Sequence, residues 1–170
     1  MTQIAITLIG MPGAGKTSLG KALAKKMGYK FLDVDNLVEK KYGKALSSVL
    51  NDLGEDEFKK AEEEAVLSIQ PQTGIVIATG GSAIYSQSAM IWLKSFSLLF
   101  FLNDSLEGLE KRISNMTTRG IVGLKGSFKD LYIERYPLYM EYADEVIEVS
   151  PFNKAQIIAR IIDLIEYEIQ

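Results

Sequence analysis

Apolar positions along this chain follow two rhythms. Short continuous runs rich in β-branched and aromatic residues occupy 4–9, 30–34, 74–78, 98–102 and 145–149. Runs of that length, bounded by turn-forming residues, are the signature of strands buried on both faces, as in a parallel sheet. Between them the apolar residues recur at helical spacing: over 17–27, Leu19, Ala22, Leu23 and Met27 fall on one face. The same spacing predicts helices at 38–42, 46–53, 55–68, 86–94, 106–113, 131–142 and 153–168. Strands alternating with helices predict an α/β fold, a five-stranded parallel sheet with helices on both faces. Regularity lapses over 114–127, where Gly120, Gly123 and Gly126 relax the backbone and few apolar residues would hold it down, which predicts a mobile lid.

At 170 residues and 47% hydrophobic, the chain can bury one sizeable core, so a single domain over 1–170 is expected. No apolar stretch approaches a membrane span, and the N-terminus enters a strand rather than a signal-peptide pattern, which predicts a cytoplasmic protein without a membrane partner. A net charge of −3 with no long basic run argues against a nucleic-acid partner. The expected state is a monomer acting on a small molecule. The chain has neither cysteine nor histidine. Disulfides, a thiolate nucleophile and cysteine metal sites are thereby excluded, and carboxylates are left as the candidate proton acceptors. Of nineteen basic residues only Arg112, Arg119, Arg135 and Arg160 are arginines. Guanidinium grips phosphate and carboxylate through two parallel hydrogen bonds, so the cluster at 112, 119 and 135 marks a candidate anion site. Arg160, on the last helix, reads as surface charge.

The chemistry begins at Gly10-Met11-Pro12-Gly13-Ala14-Gly15-Lys16-Thr17, a GxxxxGK[ST] octet placed directly after the first strand and opening the first helix. Its glycines let backbone N–H groups turn inward around a phosphate, and the helix N-terminus adds its positive end. This predicts nucleotide binding by Gly13, Ala14, Gly15, Lys16, Thr17 and Ser18, with Lys16 on the outer phosphates and the Thr17 hydroxyl on Mg²⁺. The second strand runs into Asp33-Val34-Asp35, and alternation predicts both acids on one face at its carboxyl end. One can hold the metal ion while the other accepts a hydroxyl proton; Asp35 can equally cap the next helix. After the third strand, Gly80 and Gly81 permit close backbone approach to an acceptor, or form a plain tight turn. Residues 54–62 read as a solvated charged face from which Lys59 or Lys60 can point into the site. Tyr85, Trp92, Tyr132, Tyr136 and Tyr139 read as core or rim packing.

Taken in order, the octet, Phe31-Leu32-Asp33-Val34-Asp35, Gly54-Glu55 followed by Phe58-Lys59, Ala78-Thr79-Gly80-Gly81, Arg119, and Glu134-Arg135-Tyr136-Pro137-Leu138-Tyr139 with Ala143-Asp144 resemble the shikimate kinase family. The resemblance covers about residues 4–150. It implies the three-layer P-loop kinase fold of nucleoside monophosphate kinases, with a lid, and ATP and Mg²⁺ served by Lys16, Thr17 and Asp33. It also implies Asp35 at the acceptor hydroxyl, Gly81 and Arg135 on the acceptor, Arg119 closing over the transferring phosphoryl group, and Arg112 against adenine. The acceptor region would span about 35–62, and the reaction would convert shikimate to shikimate 3-phosphate. Lys16, Asp35 and Arg119 would be the catalytic set, with Lys59 and Gly80 beside the acceptor. The chain departs from the family at Lys59, where arginine is usual, at Ser82, a third glycine, and at Gly120-Ile121, usually Pro-Leu. Lysine keeps the charge at 59 but loses the fork. Another small hydroxy acid such as homoserine, or a catalytically silent nucleotide-binding module, are the alternative readings.

Overall fold

The computed structural model describes residues 3–113 and 121–168. Five strands, β1 (Ala5–Ile9), β2 (Lys30–Asp33), β3 (Ile75–Ala78), β4 (Ser97–Asn103) and β5 (Glu145–Glu148), form one sheet in the order β2-β3-β1-β4-β5. Every neighbouring pair is parallel. The helices are α1 (Lys16–Met27), α2 (Val34–Tyr42), α3 (Leu46–Leu53), α4 (Glu55–Leu67), α5 (Gln87–Lys94), α6 (Leu106–Ile113), α7 (Phe128–Tyr142) and α8 (Lys154–Glu168), with a 3₁₀ turn at Ala83–Tyr85. Every residue of β1 and β3 is buried. A strand buried at each position has cover on both faces, which is the helix–sheet–helix layering the unbroken apolar runs predict. The edge strands β2 and β5 instead expose Lys30 and Glu148, charges that discourage pairing with another chain.

Register positions the site. Leu8 of β1 and Asp33 of β2 are both level with Ala78 of β3. The segments leaving these three strands therefore emerge at one height, at the carboxyl edge where open α/β sheets bind ligands. Among the described residues no helix is long and apolar enough to cross a membrane.

Three local features differ from the sequence expectation, two of them through a side chain competing for backbone groups. Helix α2 starts at Val34 rather than 38, because Asp33 stays extended (φ −110°, ψ 121°) and its Oδ1 accepts the Asp35 N–H at 3.0 Å. That is the N-cap arrangement, which begins a helix immediately after the capping residue. Helix α7 starts at Phe128 rather than 131, through a reciprocal cap between Ser127 and Asp130. The 3₁₀ turn at Ala83–Tyr85 lacks enough apolar period to be read. Trp92, in keeping with its reading as core or rim packing, is partly buried on α5, donating its indole N–H to the Ile69 carbonyl (3.1 Å) and meeting the Phe96 ring edge-on at 5.8 Å.

Candidate active site

Three connections at the carboxyl edge enclose a cavity of about 280 Å³. Its wall includes Pro12, Gly13, Gly15, Lys16, Thr17 and Ser18 on one side, and Asp35, Glu62, Gly81, Ser82 and Arg135 on the other. The octet at 10–17 thus opens into the same space as the candidate acceptor residues.

The first wall is made largely by backbone. Gly15 N-caps α1 at φ +90°, a conformation that L side chains rarely adopt, so the chain can turn its amides toward the cavity only with glycine here. Lys16 is buried in the first turn and donates to the carbonyls of Gly10 (2.6 Å) and Met11 (3.0 Å), which hold its ammonium at the cavity floor. Thr17 Oγ1 donates to Asp33 Oδ2 at 2.7 Å, and that carboxylate's other oxygen caps α2. Ala14 and Asp33 lie behind the lining residues, buried. Ser18 Oγ accepts from Lys154 Nζ at 2.6 Å. Arg112 Nε donates to the Gly13 carbonyl at 2.6 Å, and its guanidinium pairs with Asp104. Burial pushes the Asp104 carboxyl up, but hydrogen bonds from Ser150, Arg112 and the Ser105 amide outweigh it and hold the group below its usual range. Arg112, itself on the cavity wall, is therefore tied to the phosphate loop, an arrangement invisible without knowing that Asp104 follows β4 at the same edge.

The second wall is made by side chains from distant elements. Asp35 is not on the strand face with Asp33; it sits in the first turn of α2, and Asp33 takes the capping role. Its carboxylate still lines the cavity because the helix begins at the cavity edge. Gly80 explains how tightly the acids close in: a Cβ there would fall 1.7 Å from Glu62 Oε1 and 2.9 Å from Asp35 Oδ1. Arg135 is 1% exposed, donating from Nε to Tyr85 Oη (3.2 Å) and from Nη2 to the Val122 carbonyl (2.7 Å). Its Nη1, together with Glu62 Oε2 and Ser82 Oγ, has no hydrogen-bond partner among the described residues. Buried polar atoms left in this state mark where a polar ligand completes the bonding. Tyr139, buried and stacked on Phe101 at 5.0 Å, donates its hydroxyl to the Gly81 carbonyl at 3.0 Å. Burial pushes that phenol up to about 12.

Glu62 is the residue the charged-face reading of 54–62 missed. Burial, and secondarily the charge of Asp35, push its carboxyl up to about 8, against the pull of Arg135, Lys16 and Lys59. The group therefore holds a proton at neutral pH. A signal was present: Phe58, Ala61, Glu62, Ala65 and Val66 are the buried positions of α4, so Glu62 falls in the phase of the apolar stripe. Of the two neighbouring lysines, Lys60 pairs with Glu57 at the surface. Lys59 stands off the cavity wall, its Nζ 4.8 Å from the Tyr85 ring centroid.

Arg119 and Gly120 lie outside the described residues, as does the first half of the expected lid. Its second half is better packed than the expectation of few contacts. Ile121 and Val122 line the cavity, Val122 is buried, and the Gly123 N–H donates to Glu55 Oε1 at 3.0 Å. Two apolar residues between glycines suffice to seat the backbone there.

Comparison with known proteins bears on the whole arrangement. The family model described as Shikimate kinase matches residues 12–166. Shikimate kinase of Thermodesulfovibrio yellowstonii is 37% identical over 166 residues, covering 96% of this chain and 94% of that one. The structure of shikimate kinase from Acinetobacter baumannii in complex with shikimate superposes with a TM-score of 0.90 at 29% identity, covering 98% of this chain and 95% of that one. Thymidylate kinase from Candida albicans shares the fold alone, with a TM-score of 0.64 at 13% identity.

Proposed function

Since the chain belongs to the shikimate kinase family, we propose that its cavity divides between ATP, held by residues 13–18, and shikimate, held by Asp35, Gly81 and Arg135 on the wall with Lys59 and Gly80 beside it. The chain is an ATP-dependent kinase, and the reaction moves the γ-phosphoryl group onto a shikimate hydroxyl. The single observation that carries the assignment is that Lys16, Thr17, Asp35, Glu62 and Arg135, from four separate elements, line one cavity. Phosphoryl transfer needs positioning and charge more than covalent chemistry, and this set supplies both.

The amides of the phosphate loop and the Lys16 ammonium receive the outer phosphates. The 2.7 Å pair of Thr17 hydroxyl and Asp33 carboxylate offers hard oxygen donors. Among the described residues no cluster of three metal-ligating side chains exists, which fits an ion that keeps waters and leans on phosphate. Mg²⁺ bound there would neutralise charge developing on the phosphates. Asp35 orients the acceptor hydroxyl and takes its proton, the role that a chain without histidine must give to a carboxylate. Arg135, buried with one free N–H direction, binds the acceptor's carboxylate. Protonated Glu62 adds no negative charge beside that carboxylate and can donate a hydrogen bond. Arg119, by its place in the sequence, closes over the transferring group, and Arg112 abuts adenine. The reading carries one domain that works as a cytoplasmic monomer on a small hydroxy acid, with no nucleic-acid or membrane partner.

A coupled ADP-release assay with Mg²⁺-ATP and a panel including shikimate and homoserine tests the assignment. Turnover concentrated on shikimate is the expected result. Efficient turnover of homoserine with none of shikimate would overturn it.

A further inference from the structure

The geometry points to Tyr85 as a positioning residue for the acceptor's carboxylate: its ring and hydroxyl hold Lys59 and Arg135 together, so that a lysine can serve at 59 where a guanidinium fork is usual. The inference rests on the acceptor assignment above and extends it to a residue outside the cavity wall.

Both cations gather on one ring. The Lys59 ammonium is 4.8 Å from the Tyr85 ring centroid and the Arg135 guanidinium carbon is 5.1 Å from it. Cations within about 6 Å of an aromatic face are attracted by its negative quadrupole. An ammonium on a flexible four-carbon stem lacks the preorganised fork of arginine, and the ring restricts where it can go. Among the described residues no carboxylate lies within salt-bridge range of Lys59, so its charge is available to an incoming anion.

The hydroxyl does a second job. Tyr85 Oη donates to Glu134 Oε1 and accepts from Arg135 Nε at 3.2 Å. Engaging Nε, while Val122 takes Nη2, leaves Nη1 as the unpartnered donor beside Gly81. Tyr85 thus fixes which edge of the guanidinium faces the acceptor.

Packing alone does not require a tyrosine here. In the 3₁₀ turn Ala83 and Ile84 are buried, while Tyr85 packs against the core only in part. Its contacts that are specific to tyrosine all go to charged groups. The proximity of Gly123, where a Cβ would lie 3.8 Å from Tyr85 Oη, also sets the ring beside the segment that covers Arg135.

Steady-state kinetics on the purified chain with Mg²⁺-ATP and shikimate test the role. Tyr85→Leu should raise the KM for shikimate by about tenfold, between the size of an exposed and of a desolvated cation–π contact, with the KM for ATP and kcat within about twofold. Tyr85→Phe keeps the ring and loses the hydroxyl, and should raise the shikimate KM by about threefold. In a Lys59→Met background Tyr85→Leu should have a clearly smaller effect, because part of what the ring holds is gone. Equal changes in the two KM values, no change in either, or strict additivity with Lys59→Met would overturn the proposal. If Tyr85→Leu fails to fold, Tyr85→Met takes its place as the variant without a ring, and Tyr85→Phe decides the hydroxyl's role. Failure of wild type to use shikimate would overturn the acceptor assignment, and this proposal with it; normal wild-type turnover beside an unmoved variant overturns the role of Tyr85 alone.

Discussion

The two walls of the cavity are built by opposite means. On the side proposed for the nucleotide the wall is one continuous segment, residues 12–18, with Lys16 anchored on the carbonyls of Gly10 and Met11. On the other side they are side chains from α2, α4 and α7 and the segment that follows β3, brought together only by the fold. A wall of backbone tolerates changes in neighbouring side chains but not in the glycines and the one lysine that define it. A wall of side chains can be retuned one residue at a time; the departure at Ser82 lies in it, and that at Lys59 stands off it.

Four changes, ordered by expected effect, would break or sharpen that contrast. Asp35→Asn should lower kcat by about 10²–10⁴-fold, the range for a positioned proton acceptor, while ATP affinity stays near wild type. Rapid-mix turnover at saturating shikimate measures it, and an undiminished kcat would return Asp35 to a purely structural role. Next, Lys16→Ala removes a fixed cation from the floor and should cost about 10²–10³-fold in turnover together with weaker ATP binding. Calorimetric titration with ATP checks the binding half; if affinity holds, the floor does not read the outer phosphates.

The third change separates the walls by pH. With its carboxyl at about 8 in the folded chain against an ordinary 4.5, Glu62 keeps a proton that the unfolded chain has lost between those values. Its contribution to stability is present at low pH and falls as pH rises through that window, at up to about 1.4 kcal/mol per pH unit. Urea unfolding of Glu62→Gln from pH 5 to pH 8 should show a flatter profile than wild type, and parallel profiles would mean that Glu62 is ionised throughout. The smallest effect is expected of Lys59→Arg, which restores a fork in a pocket already neutralised by Arg135. The specificity constant for shikimate should change within about threefold, upward where a second parallel hydrogen bond forms. A large loss would show that the space beside Tyr85 is cut to an ammonium.

The same division governs what could be read from residues alone. The octet is legible because local backbone geometry makes it, and so is the sheet, since β1 and β3 need nothing more than unbroken apolar runs. Asp33 and Asp35 were legible as a pair but not in their geometry. Strand alternation stops at Asp33, whose carboxylate, by taking the Asp35 N–H, ends the strand and starts a helix. Glu62 escaped because a glutamate amid charged neighbours looks solvated until its helical phase is weighed against Phe58 and Val66. Tyr85 and Asp104 could not have been found, because their partners Arg135, Lys59 and Arg112 are brought to them only by tertiary packing.

The chain's single tryptophan gives the molecule a built-in optical probe with a restricted view. Trp92 leans on the Ile69 carbonyl and the Phe96 ring and takes no part in the cavity wall. Indole emission should accordingly register the loosening of α5 from the segment after α4 and stay nearly silent as ligands fill the site. Unfolding can then be followed in the presence of saturating ATP and shikimate without correcting for their binding signal, so stabilisation by each ligand becomes a direct fluorescence measurement.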